Sequence, residues 1–194
     1  MTLTREPGGT KLGKDLREIL LHTHDHVAPR AEALLYAADR AHHVETLIRP
    51  ALERGEIVIT DRYLDSSIAY QGAGRVLSPG EIGRISRWAT ESLIPTLTII
   101  IDLPAEIGLS RLKSRDRLES ESMAFHERVR QEFLSLSLLD PERYIVIDGR
   151  QSIEDIHKAI TSRVMELRDL SKIEKKPKTK KRIIKKPHLR KSSK

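Results

Sequence analysis

Three short apolar runs punctuate a chain that is otherwise patterned for helices. Ile57-Val58-Ile59, "LTIII" at 97–101 and "YIVI" at 144–147 are each followed within two positions by an aspartate, namely Asp61, Asp102 and Asp148. Runs this short and this rich in β-branched residues predict strands of a parallel sheet that are covered on both faces. The stretches between them are long enough for right-handed crossovers, so the pattern predicts an α/β fold, an open parallel sheet with helices on both faces. In the longest helical stretch, residues 29–55, Leu34, Ala37, Ala41, Val44, Ile48 and Leu52 recur at helical steps and predict the buried stripe. Tyr36, Arg40 and His43 fall on another line of that helix. Pro29 opens it, Gly55 closes it, and Pro50 predicts a kink in its last turns. Further helices are expected over residues 12–21, 79–91, 104–112, 121–139 and 152–170.

A length of 194 residues suits one domain with a sizeable core. Cysteine is absent, which excludes a disulfide framework, a thiol nucleophile and cysteine-based metal sites. No apolar run reaches the ~18 residues of a membrane span and the N-terminus has no signal-peptide core, so a cytoplasmic setting and no membrane partner are expected. The net charge of +7 is unevenly spread: from residue 171 onward twelve Lys or Arg face the single Glu174, which leaves the preceding residues at −4. The division expected is a folded domain over residues 1–170 and a basic, disordered tail over 171–194. That tail reads as a solubilising appendage that contacts polyanions nonspecifically, or as a nucleic-acid arm for which the domain is a scaffold.

Candidate chemistry gathers after the first of these runs, in "DRYLDSSIAYQG". Strand ends of parallel sheets are where such folds bind ligands. Arg62 offers a fork for a phosphate there, and Asp61 can approach one only across a cation, which points to a phosphorylated ligand with Mg²⁺. Residues 110–122, "SRLKSRDRLESES", have no apolar stripe and are expected to be mobile. They are either a solvated helix end or a lid that brings Arg111, Arg115 and Arg117 over phosphates. Residues 8–14 imitate the phosphate loop G-x-x-x-x-G-K-[ST], but Asp15 stands where a hydroxyl is needed and residues 1–4 are too short and polar for the preceding buried strand, so the match reads as a decoy. The histidines at 22–26 and 42–43 lack ligand spacing and read as solvated.

Five blocks, "LTREPGGTKLG", "LLYAADRAHHVE", "DRYLDSSIAYQGAGR", "PTLTIIIDLPAEIGLSR" and "DRLESESMAFHERVRQEFL", resemble successive blocks of bacterial thymidylate kinase in the family's order. The resemblance runs from about residue 3 to about residue 170. It implies a P-loop NTPase-like nucleoside monophosphate kinase architecture and conversion of dTMP to dTDP with ATP and Mg²⁺, in dTTP biosynthesis. It also implies a homodimer, to which residues 31–52 could contribute. The family's first strand and phosphate loop would lie ahead of Met1, so the domain reads as N-terminally truncated and as aggregation-prone without them. The alternative is a catalytically inactive nucleotide-binding remnant that keeps the acceptor pocket.

By the same resemblance Arg62 grips the acceptor's 5′-phosphate, and Asp61 holds Mg²⁺ through water, although an aspartate there could equally be a helix N-cap. Tyr36 matches the aromatic residue that stacks on thymine and Arg40 the arginine that bonds the base's exocyclic oxygen. Without the resemblance, these two are equally an exposed helix pair. Ser66, Ser67, Tyr70 and Gln71 line the same pocket, Tyr70 against the sugar's 2′ position and Ser67 and Gln71 toward the base. Glu6, Pro7 and Gly8 resemble the acidic loop near the acceptor phosphate. Arg117, Arg115 and Arg111 are the lid cations, with Arg117 the best aligned.

Overall fold

The computed structural model describes residues 1–23 and 25–174, so His24 and the expected tail from residue 175 lie outside it. Four parallel strands are present: β1 (Thr2–Arg5), β2 (Val58–Asp61), β3 (Thr98–Asp102) and β4 (Tyr144–Asp148). The helices are α1 (Lys11–His22), α2 (Pro29–His43), α3 (Arg49–Glu53), α4 (Leu64–Ser67), α5 (Pro79–Ala89), α6 (Ala105–Ser110), α7 (Met123–Leu139) and α8 (Ile153–Glu174). Helix α8 thus extends four residues into the segment expected to be disordered.

The strands form two separate parallel pairs, β1 with β2 and β3 with β4. Asp61 lies opposite Arg5 in the first pair and Asp102 opposite Asp148 in the second. β1 is a strand despite its polar sequence, because its backbone is satisfied by β2: Thr2 N donates to Ile57 O, and just past the strand Glu6 N donates to Asp61 O, both at 2.9 Å. Coverage on both faces does not hold. β1 and β2 alternate half-buried and exposed positions, as does β3, and Ile57, Ile59 and Ile101 are exposed. The pairs are joined through the helical layer and through Asp65 of α4, which accepts from Arg143 Nη1 at 2.9 Å, just ahead of β4, and from Thr98 Oγ1 of β3 at 3.3 Å.

Helix α2 is the hub of that layer. Its Tyr36 joins Leu20, Leu21, Ala69, Leu118, Phe125 and Val129 in one core cluster. Its Ala33, with Val44 and Ile48 just beyond it, joins Tyr63, Leu64, Ile68 and Ile82 in the other. The single helix expected to residue 55 is instead α2, a wide π-type turn over Val44–Ile48, and α3. Pro50 at the second position of α3 has no N–H to give the preceding turn, which accounts for the break. The expected stripe holds at Ala37, Val44 and Ile48, which are buried, and at half-buried Ala41, but not at its ends: Leu34 and Leu52 are 58% and 41% exposed, whereas Glu32, Tyr36, Asp39, Arg40 and His43 are buried as well. Helix α4 likewise runs on into a wide turn over Ile68–Gly74, which carries Tyr70 and Gln71. Its wide bonds include Arg75 N to Tyr70 O at 3.0 Å.

Candidate functional site

The register of β1 and β2 places the residues after each strand side by side, which brings Glu6 beside Arg62. Arg62 has φ 65°, a left-handed conformation that costs a non-glycine residue energy and is retained where surroundings dictate it. Its guanidinium lies 4.8 Å from the Tyr70 ring centroid, a cation–π distance. Tyr70 is fixed in turn by edge-on contacts with Phe125 and Phe133, at 6.1 and 6.3 Å. Arg62 and Tyr70 form one wall of a cavity of about 310 Å³ that continues past Asp102, Leu109 and Arg130, within the size range of small-ligand sites.

The strand-end aspartates differ in what they hold. Asp102 takes a bidentate pair from Arg130, Nε at 2.7 Å and Nη2 at 2.9 Å, which keeps its carboxyl below the usual range. Asp148 is paired by Arg150 at 2.8 Å. The Asp61 carboxylate is exposed and makes no hydrogen bond or ion pair among the described residues. No cluster of three metal-ligating side chains occurs among those residues either. A lone strand-end carboxylate suits Mg²⁺, which takes one or two protein carboxylates and completes its shell with waters and substrate phosphates.

Glu6 is buried and ion-paired: its carboxylate accepts from Arg40 Nε at 2.7 Å and from His43 Nδ1 at 2.9 Å, and His43 Nε2 meets Thr4 Oγ1 at 2.7 Å. Arg40 also donates to the Tyr63 carbonyl at 3.3 Å and to Ser86 Oγ at 3.4 Å. Arg40 is therefore 1% exposed rather than half of an exposed surface pair. Gly8 has φ 109°, and its N–H donates to Asp39 Oδ1 at 3.4 Å. Arg17 donates to the Pro7 carbonyl at 3.0 Å and braces the loop from α1. Residues 8–14 form a capped helix start, with Thr10 Oγ1 accepting from Gly13 N at 2.9 Å.

Asp39 Oδ2 is buried and without a hydrogen-bond partner among the described residues. Burial, and then the nearby Glu6 charge, raise the Asp39 pKa in the folded chain. A raised folded value means that the stability Asp39 contributes is fully present below its unfolded pKa of ~3.9 and is lost as pH rises through the folded value. Asp39→Asn, which carries no such charge, is expected to raise the melting temperature relative to the parent by more near neutral pH than near pH ~4. A difference independent of pH in thermal scans would refute it.

Half of segment 110–122 is docked rather than mobile. Arg117 donates from Nε to the Leu20 carbonyl at 2.8 Å and from Nη2 to Glu32 Oε2 at 2.6 Å, and Leu118 is buried in the core. Asp116 Oδ1 accepts from the Leu118 and Glu119 backbone N–H groups at 2.9 and 2.8 Å, fixing the turn. Arg115 is exposed with no partner among the described residues, and Arg111 reaches only the Gly149 carbonyl, at 3.4 Å. Of the residues expected to line the acceptor pocket, Arg62 and Tyr70 line the cavity of about 310 Å³ and the others do not: Gln71 is buried and donates to Glu32 Oε1 at 2.9 Å, the Ser67 hydroxyl is buried without a partner among the described residues, and Ser66 is half-buried. Burial raises the pKa of the Tyr36 hydroxyl above its ordinary value, so it stays protonated.

A parallel α/β fold with an arginine and an exposed carboxylate at one strand end, beside a small-ligand cavity, suits a phosphorylated ligand. A family model described as thymidylate kinase matches residues 1–160. A thymidylate kinase of Clavibacter michiganensis subsp. michiganensis is 57% identical over 171 residues, covering 86% of this chain and 81% of the relative. One from Leifsonia xyli subsp. xyli is 56% identical, covering 83% and 78%. The crystal structure of thymidylate kinase from Ehrlichia chaffeensis superimposes with a TM-score of 0.63 at 33% identity, covering 75% of this chain and 73% of that one. The chain belongs to the thymidylate kinase family, enzymes that phosphorylate dTMP to dTDP with ATP. Nothing in these matches favours an inactive remnant.

Glu32, Arg17, Asp39 and His43 were not picked out by sequence reasoning as functional positions. One signal was available for two of them: Glu32 and His43 follow Tyr36 and Arg40 along a single line of α2, the four residues lying at steps of four, four and three.

Proposed function

We propose that Arg62 binds the 5′-phosphate of dTMP at the end of β2, with Tyr70 against the sugar's 2′ position. The observation that carries this reading is the 4.8 Å stack of the Arg62 guanidinium on the Tyr70 ring at the cavity wall. The stack aims one residue at phosphate while the other closes the space beside it. Asp61 would hold Mg²⁺ through water, and the ion would shield the phosphates of donor and acceptor. Ser67, whose hydroxyl lacks a partner, and Gln71 would face the base, with Ser66 beside them. Tyr36 would stack on the base, and the two Arg40 N–H groups that its three bonds leave over would bond the exocyclic oxygen. Glu6, Pro7 and Gly8 would form the wall near the acceptor phosphate.

Chemistry at this site needs alignment and charge neutralisation more than a base. An oxygen of the dTMP phosphate forms a bond to the γ-phosphorus of ATP as the bond to the β-phosphate oxygen breaks, and ADP leaves. Arg62 holds the attacking phosphate in line. Arg111 and Arg115, both exposed, would be the lid cations that meet the transferring group, while Arg117 holds the lid's base. The exposed Leu34 and Leu52 of the α2–α3 arm support a homodimer through that helix, and the basic tail would contact polyanions nonspecifically. No helix among the described residues is long and apolar enough to cross a membrane, which is in keeping with a cytoplasmic enzyme.

Tyr70→Ala tests the acceptor site. The preference for dTMP over ribothymidine monophosphate in a coupled ADP-release assay is expected to fall about tenfold, the effect of ~1.4 kcal/mol of lost exclusion. Equal discrimination before and after the change would remove Tyr70 from the sugar subsite.

A further inference from the structure

Glu32, in the first turn of α2, is 0% exposed, yet none of the roles above uses it. Its Oε1 accepts from Gln71 Nε2 at 2.9 Å and from Arg75 Nε at 3.2 Å. Its Oε2 accepts from Arg75 Nη2 at 3.0 Å and from Arg117 Nη2 at 2.6 Å. Arg75 also pairs with Glu121, so two carboxylates and two guanidinium groups balance. One buried carboxylate thereby ties α2 to the wide turn that carries Gln71 and to the docked half of segment 110–122. Removing such a carboxylate would strand buried cations.

We propose that Glu32 is a positioning residue that sets the direction of the Gln71 amide for base selection and, through Arg117, couples that setting to lid docking. The inference rests on the reading of Gln71 as a base contact. An ionised carboxylate only accepts hydrogen bonds, so Gln71 must turn its NH₂ group toward Glu32 and its carbonyl oxygen away. That oxygen accepts no hydrogen bond among the described residues. The surrounding donors hold the Glu32 pKa low despite the opposing effect of burial, with Arg75 the first of them, and so keep the group an acceptor. A fixed acceptor facing the base, as that reading of Gln71 has it, matches a pyrimidine whose N3 carries hydrogen, as in thymine and uracil. It meets a second acceptor in cytosine, whose N3 lone pair would face the carbonyl oxygen. The device selects on N3 and is indifferent to the 5-methyl group.

Calorimetric titration of the full chain with dTMP, dUMP and dCMP tests this directly. Glu32→Gln offers an amide that donates as readily as it accepts, so the Gln71 amide is no longer held in one direction. The dTMP:dCMP affinity ratio is expected to fall about tenfold while the dTMP:dUMP ratio stays within about twofold, and amide exchange across residues 116–121 is expected to quicken. A purely structural role would weaken all three nucleotides alike, and an unchanged dTMP:dCMP ratio would overturn the proposal. Glu32→Asp keeps an acceptor-only group and is expected to hold the ratio, so its loss there would overturn the proposal as well, even if Glu32→Gln fails to fold. Gln71→Ala separates the two levels. If it leaves dTMP affinity unchanged, the base-contact reading falls and the proposal with it. If it weakens dTMP binding while Glu32→Gln preserves the ratio, only the proposal falls.

Discussion

Replacing Arg62 with Ala should raise the dissociation constant for dTMP about 100-fold and leave the melting temperature almost unchanged. A guanidinium on a phosphate makes charge-assisted bonds that together contribute ~3 kcal/mol, which is that fold-change. The side chain is exposed and fills no core space, so its loss opens no cavity. The φ of 65° is carried over to Ala and still costs energy there, so little strain is relieved. Arg62→Lys should recover part of the affinity, because an ammonium keeps the charge and loses the fork. Calorimetric titration and thermal scans on the same preparations provide the check. Unchanged affinity would displace Arg62 from the phosphate, and a fall of many degrees would make it a structural residue.

The opposite profile is expected for Glu6→Gln, whose main effect is on folding. Arg40 and His43 are both buried, and Glu6 is the carboxylate that both of them meet. Removing one partner of a buried pair leaves a desolvated charge and costs ~3 kcal/mol or more. At ~2–4 °C per kcal/mol for a chain of this size, the melting temperature should fall by about 6–12 °C. The loop over residues 6–9 should loosen with it, because Gly9 packs so closely on His43 that a Cβ there would come within 2.4 Å of its Nε2. Unfolding in urea monitored by circular dichroism measures the loss. Stability within ~1 kcal/mol of the parent would mean that the trio contributes little net energy, as some buried ion pairs do.

Much of the framework was legible in the chain because it depends on local pattern. The apolar runs ending at Asp61, Asp102 and Asp148 are strands, and α1, α5, α6, α7 and α8 lie within a few residues of the helices expected. Ala37, Val44 and Ile48 of the expected stripe are buried, but local pattern did not show the polar side chains buried beside them or the exposure of the stripe's two ends. Hydrophobic periodicity chose Leu34 and Leu52, which are exposed, over Glu32, Arg40 and His43, which are buried. Those three can be buried only because Glu6, Gln71, Arg75 and Arg117 come to meet them, and Arg117 is 85 positions from Glu32. Periodicity along one helix carries no information about partners that distant. β1 carries no apolar pattern of its own, since its polar residues form a strand only because β2 supplies the hydrogen bonds. Arg62 and Asp61 were legible as candidates because a strand end is a local feature with a general meaning.

The wide turn over Ile68–Gly74 puts this pocket under the control of chain length as well as side-chain identity. Gln71 and Arg75, four positions apart, both reach Glu32, while Tyr70 just before them turns to Arg62. Deleting one residue from that turn would rewind it as an ordinary helix and swing the side chains at its end by ~100° about the axis. Arg75 would leave Glu32 while the strands and both core clusters kept their composition. Insertions and deletions at this point, which substitution surveys do not sample, are therefore the genetic changes best suited to give this scaffold a different nucleobase preference.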